Sequence, residues 1–204
     1  SLYHFSSEDL RPYFPLQTVL HGCFAHFSKL FNLKFDENKK YDVWHPDVAA
    51  YDVTDITDGS FVGTLYADFF PRTGKKDGAW KTSYRDQGRF HGKIERPIVA
   101  IVCNFTKPTK DSPSLLTHGE VSTLFHEMGH AVHALLSRIT YSSLAGTNVK
   151  WDFVELPSQL QENWTYRKET LDMISGHYKT GEKIPAALIE KLNNAKNFMA
   201  GWAG

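Results

Sequence analysis

The chain has 204 residues, 41% of them hydrophobic and 23% charged, with 23 Lys and Arg set against 23 Asp and Glu. That length suits one domain or a piece of one with room for a core, and the balanced charge argues against a nucleic-acid partner. The longest apolar run, Pro97 to Cys103, is far below the ~20 residues needed to cross a bilayer, so no membrane partner is expected either.

Two cysteines, Cys23 and Cys103, each sit in an apolar run. They read as buried thiols, compatible with a cytoplasmic home, and not as a secretory disulfide framework. No signal peptide is visible, although the chain begins at Ser1 and not at Met, which leaves room for an earlier segment to have carried one.

From the N-terminus, R-P-Y-F-P is followed by Val19, Leu20, Cys23, Phe24, Phe27, Leu30 and Phe31 at helical spacing, which predicts a core helix within Leu10 to Leu33. His21 and His26 on that helix are assigned to packing or surface, not to chemistry. From Asp42 the pattern changes to strands: Val48 to Val53, Phe61 to Phe69 after the Asp58-Gly59 turn, and Pro97 to Phe105. These predict a small mixed or antiparallel sheet. The alternation in Phe61 to Asp68 fits a strand exposed on one side, an edge on which an extended peptide is held by backbone pairing; a strand fully paired in its own sheet fits as well. Pro71 to Gly78 is too short and irregular for a phosphate-binding loop. Asp86 to Lys93 reads as a glycine-rich loop.

The next segment carries the chemistry. Val121, Leu124, Phe125, Met128, Val132, Leu135 and Leu136 follow the 3, 4, 7 spacing of a buried helical stripe, and Gly119, Thr123, His126, His130, His133 and Ser137 line the opposite face. Thr117 with Glu120 forms a capping box that starts this helix two turns before His126. His126-Glu127-x-x-His130 is an H-E-x-x-H motif: positions i and i+4 lie on one face, so two imidazoles reach one zinc ion while Glu127 projects beside it, where a general base must sit. A chain of this composition produces the motif by chance in roughly two cases in a hundred, so the surroundings must decide.

A catalytic zinc needs a third protein ligand and an open fourth position. The polar connection Arg138 to Lys150 lets a second helix pack antiparallel, bringing Glu155 of Trp151-Asp152-Phe153-Val154-Glu155-Leu156-Pro157-Ser158 to face the histidines. On spacing alone, Asp152 and Glu155 also fit an N-cap and N3 pair, and Pro157 leaves the boundary of the first turn open. Glu162, seven residues on, and Asp152 are candidates to accept the free N–H of a ligating His, or are solvated surface acids. His133 is either a substrate-side or supporting group or an ordinary helix histidine. Thr170 to Tyr178 and Pro185 to Ala200 predict further helices that buttress the site.

F-H-E-M-G-H-A-V-H (125–133) followed by G-T-N-V-K-W-D-F-V-E-L-P-S-Q (146–159) resembles the thimet oligopeptidase and neurolysin family of zinc peptidases, most closely its bacterial peptidyl-dipeptidase (dipeptidyl carboxypeptidase) branch. The likeness continues through L-R-P-Y-F-P-L (10–16), Y-D-V-W-H-P-D-V (41–48), R-P-I-V-A-I-V-C-N-F (96–105) and N-A-K-N-F-M-A-G (194–201). The resemblance implies that His126, His130 and Glu155 hold one Zn2+ and that Glu127 is the base. It implies an α+β, mostly helical zincin-like fold in which 1–204 is part of a single catalytic domain, 1–110 giving a helix and small sheet and 111–204 the zinc-binding helices.

The implied activity is hydrolysis of short peptides with release of C-terminal dipeptides. An endo-acting oligopeptidase is the alternative within the family, and a non-catalytic zinc-stabilised module, with a fourth ligand such as His133, is the alternative outside it. Family members are several times longer, and their downstream His and Tyr groups that stabilise the oxyanion have no counterpart before Gly204. The remainder of its own catalytic domain is thus an implied partner, and these residues alone are expected to have little activity.

Overall fold

The computed structural model describes residues 7–200; Gly201, the last residue of the family-like stretch 194–201, lies outside them. A 3-10 turn, Ser7–Tyr13, leads into α1 (Leu16–Phe31). Pro15 precedes α1 with a fixed φ, and Asn32 closes it in the left-handed conformation, its N–H donating to Ser28 O. Seven strands follow: β1 (Leu33–Glu37), β2 (Val48–Asp55), β3 (Phe61–Asp68), β4 (Trp80–Arg85), β5 (Gly88–Phe90), β6 (Lys93–Glu95) and β7 (Ile98–Val102). Then come α2 (His118–Leu135), α3 (Trp151–Val154), α4 (Leu156–Glu162), α5 (Lys168–Ile174) and α6 (Ala186–Ala200). The chain is α+β, and no helix of the described residues is long and apolar enough to cross a membrane.

The main sheet has the order β1-β2-β3-β7-β4, antiparallel throughout except for the parallel pair β3 and β7. It is mixed, as the sequence predicts, but has five strands where three were legible. Of the two readings of Phe61 to Asp68, the paired strand holds and the edge does not: β3 is central, paired with β2 and β7 and buried along most of its length. Thr64 looks like an exposed position, yet it is buried and its hydroxyl bonds Tyr41 Oη. The sheet's edges are β1, which lies beside α1, and β4, which lies beside α2. The stretch 86–93, expected to be a loop, instead runs into a separate hairpin of β5 and β6 that ends at Glu95, turned by His91 and Gly92, both at positive φ (48° and 81°).

Leu65, Val99 and Ile101 of the sheet, Val19, Cys23 and Phe27 of α1, and Val121, Leu124, Phe125, Met128 and Leu135 of α2 form one continuous core. The other face of the sheet carries aromatic rings: Trp44 lies 5.2 Å from Tyr66 and 5.7 Å from Tyr84. At the end of β3, Asp68 is 2% exposed and accepts from Arg72 (2.7 and 2.9 Å), Lys75 (2.9 Å) and Trp44 Nε1 (3.0 Å). Burial opposes ionisation there, but the donors, Arg72 first, win and hold the Asp68 carboxyl at about 2.

Helix α2 begins at the expected capping box: Glu120 N–H donates to Thr117 Oγ1 and Thr117 N–H to Glu120 Oε2. The second helical segment is broken. Pro157 lacks an N–H and cannot continue α3, so α3 ends at Val154 and α4 restarts after Glu155, with Pro157 in its first turn. α4 runs antiparallel to α2, since Ser158 lies beside Gly129, Glu162 beside His126, and Thr165 beside Ser122 and His118. On the outward side, Trp151, Phe153, Leu156 and Leu160 are exposed. The helix predicted over Thr170 to Tyr178 instead starts at Lys168 and ends at Ile174, where Ser175 turns extended.

Candidate metal centre

His126 and His130, one turn apart on α2, present their Nε2 atoms 3.1 Å from each other. Glu155 Oε2, from the break between α3 and α4, lies 3.1 Å from His126 Nε2 and 3.2 Å from His130 Nε2. The three atoms make a nearly equilateral triangle. A metal about 2.0–2.1 Å from N and O donors in a tetrahedral site spaces its ligand atoms about 3.3–3.4 Å apart, so the triangle fits one face of such a site with one corner left over. Among the described residues no further His, Cys, Asp or Glu joins the group.

Two of the three donors are oriented from behind, whereas His130 Nδ1 is buried without a hydrogen-bond partner among the described residues. The Glu162 carboxylate lies 2.6 Å from His126 Nδ1, so Nδ1–H donates to it and the Nε2 lone pair faces the triangle. Ser158 Oγ donates toward Glu155 O (2.9 Å) and Glu155 Oε2 (3.0 Å), fixing the carboxylate at the helix break. Burial holds His130 below its usual value, which keeps its ring neutral as a metal ligand requires.

Close approach of the two helices depends on Gly129. A Cβ there would lie 2.7 Å from Ser158 Cα and 3.2 Å from Gln161 Cγ. Glu127 lies beside the triangle and is 5% exposed, with Oε2 buried and without a hydrogen-bond partner among the described residues. Burial pushes its carboxyl up to about 7, with His126 opposing and Glu155 reinforcing the shift. The open cleft in front of these groups, about 360 Å3, is lined by His126, Glu127, His130 and Glu155 together with Trp80 and Lys81 of β4, Thr147 and Trp151.

The family model of peptidase family M3 matches residues 1–203. The chain belongs to peptidase family M3. Oligopeptidase A of Haemophilus influenzae is 45% identical over 201 residues, covering 98% of this chain and 29% of its own length. Saccharolysin of Saccharomyces cerevisiae is 43% identical over 198 residues (93% and 28%). Dipeptidyl carboxypeptidase of Escherichia coli is 39% identical over 195 residues (95% and 28%). This M3 chain therefore spans under a third of the length of these curated relatives. Identity alone does not separate the oligopeptidases from the dipeptidyl carboxypeptidases, and the oligopeptidase A relative is the more similar of the two bacterial ones.

Other residues singled out in the M3 sequence fall elsewhere. Asp152 is exposed and bonds neither histidine: α3 is a single turn starting at Trp151, and Glu155, not Asp152, faces α2. The N-cap and N3 pairing of Asp152 with Glu155 does not form either: Lys150 precedes α3, and Glu155 stands between α3 and α4, at the N-cap position of α4, with no capping hydrogen bond from its side chain. His133 lies outside the ligand triangle and lines a different, largely apolar cavity of about 430 Å3 with Phe27, Phe31, Val132 and Leu136. Missed by the sequence reading were Gly129, Ser158, Thr147 and Lys81. Ser158 alone carried a signal, being three residues after the ligand candidate in E-L-P-S.

Proposed function

We propose that this chain carries the zinc-binding part of an M3 peptidase that hydrolyses peptide bonds in short oligopeptides, within a zincin-like catalytic domain. The observation behind this is the convergence of His126 Nε2, His130 Nε2 and Glu155 Oε2 to within 3.2 Å, with Glu127 alongside. His126, His130 and Glu155 would hold one Zn2+, which when bound supplies Lewis-acid polarisation of the scissile carbonyl and a more acidic water. Glu127 acts as the base. Its carboxylate takes a proton from the water whose oxygen attacks the carbonyl carbon, then delivers it to the amide nitrogen as the C–N bond breaks. Burial suits Glu127 to hold a proton between those two transfers.

The edge of β4 is the proposed platform for an extended peptide, in place of β3, for which an edge was one of two readings. The open corner of the ligand triangle favours an enzyme over a structural zinc module. Because the chain spans 29% of a relative such as oligopeptidase A, the groups that stabilise the oxyanion are assigned to the remainder of the protein, and the 204 residues alone are proposed to have little activity. Two free buried thiols fit a reducing, cytoplasmic setting.

Release of C-terminal dipeptides and internal cleavage are distinguished by mass spectrometry of products from a peptide series of increasing length. The base assignment is tested with Glu127→Gln in the complete protein. Zinc content should stay at one per chain while turnover falls by about three orders of magnitude or more; hydrolysis near the wild-type rate would refute the role.

A further inference from the structure

The cleft holds one cation that the hydrolytic scheme does not use. Lys81 lies on edge strand β4, in register with the fully buried Ile101 of β7, which pairs in turn with Ala67 of β3. Register partners share a face, so Lys81 projects to the helix side of the sheet, where a core residue would ordinarily stand. Its Nζ donates to Ser83 Oγ (3.0 Å) and Thr147 Oγ1 (2.6 Å), two neutral acceptors. An ammonium has three donors, which leaves one for another group. Asp86 and Glu127 act on Lys81 only from a distance, and among the described residues no carboxylate forms an ion pair with it. Burial draws its pKa down, the signature of a cation lacking a counter-ion. Lys81 lines the same cleft as His126, Glu127, His130 and Glu155.

We propose that Lys81 is a specificity-determining residue that receives a carboxylate of the bound peptide. The assignment rests on the peptidase reading above. A peptide laid along the open edge of β4 alternates its side chains across the sheet plane, and one whose carboxylate falls on the helix side meets the Lys81 ammonium beside the scissile bond. Thr147 anchors the lysine from the loop between α2 and α3, so the cation is already aimed before substrate arrives. The carboxylate is either the peptide's C-terminus or a Glu or Asp side chain. An inward lysine on an edge strand has a plain structural use as well, in blocking edge-to-edge association, and the experiment separates the two.

In the complete zinc-loaded protein, kcat/KM is measured for matched peptide pairs: free C-terminus against carboxamide, and Glu against Gln near the scissile bond. The wild type should favour one carboxylate member by about tenfold or more. Lys81→Met should abolish that preference through KM with kcat nearly unchanged, and Lys81→Arg should retain much of it. The pair that responds identifies the source of the carboxylate. In parallel, calorimetry measures affinity of the same pairs for the metal-free protein, where no turnover intervenes. Equal treatment of both members by the wild type, or a preference that survives Lys81→Met, overturns the assignment. So does a Lys81→Met variant that slows all peptides alike while aggregating, which indicates the structural use alone. If no peptide binds in any form, the peptidase reading falls together with it.

Discussion

Replacing Gly129 by Ala should damage the metal centre more than the fold. The added Cβ would stand 2.7 Å from Ser158 Cα and 3.4 Å from Pro157 O, backbone atoms that cannot rotate away. Ordinary carbon contacts begin near 3.5 Å, so α4 must retreat from α2 by about 0.8 Å. Overpacking of this kind costs about 1–3 kcal/mol, and replacing Gly by Ala inside a helix returns about 1 kcal/mol, leaving a net loss of stability of about 0–2 kcal/mol.

The ligand triangle is less forgiving, because metal bonds tolerate about 0.2 Å. Glu155 precedes the colliding residue by three positions and is tied to it by the Ser158 hydroxyl, so a retreat of α4 carries the carboxylate away from both imidazoles. We expect zinc affinity to fall about 10- to 100-fold, read by titration against a competing chelator, with denaturant unfolding of the metal-free protein as the companion measurement. Gly119→Ala is the control on the same helix. Its Cβ would meet only Thr117 Oγ1 at 3.8 Å, and it should leave zinc affinity unchanged while stabilising the protein slightly. Wild-type zinc affinity in Gly129→Ala would show that the carboxylate does not depend on how closely the helices approach.

Glu162→Ala should weaken zinc binding about 10- to 100-fold without unfolding the protein, because His126 loses the acceptor that orients its ring; the same chelator competition reads it. Asp68→Asn should destabilise the protein at neutral pH by stripping the counter-ion from buried Lys75 and Arg72, as measured by urea unfolding. Because the folded pKa of Asp68 is depressed to about 2, its stabilisation is complete above the unfolded value near 4 and is lost as pH falls toward 2. The wild-type advantage over Asp68→Asn should therefore shrink by about 2 kcal/mol between about pH 5 and pH 2, and a gap independent of pH would contradict the ion-pair account.

Legibility from sequence varied with the kind of signal. The α2 helix announced itself through a clean 3.6-residue stripe and the Thr117–Glu120 box, and the one-turn spacing of His126 and His130 then dictated their meeting. Glu162 was reachable because seven residues bring a helix back to the same face. β4 was hidden because its inward position 81 is a lysine, which erases the alternation that marks a strand. The choice between an edge and a paired position for β3 stayed open because Thr64 resembles a solvent-facing residue, although its buried hydroxyl is satisfied by Tyr41. The part played by Gly129 had no local signature at all: what it permits is the nearness of a segment some thirty residues away.

The donor trio is mechanically uneven. Both imidazoles ride a single rigid rod seated in the core, whereas the carboxylate hangs from a joint whose side chain is 42% exposed, between a one-turn helix and a seven-residue one. Breathing of 151–162 away from the rod would strip one of three donors and leave a bidentate remnant, so ion escape should keep pace with hydrogen exchange at that joint and not with melting of the whole molecule.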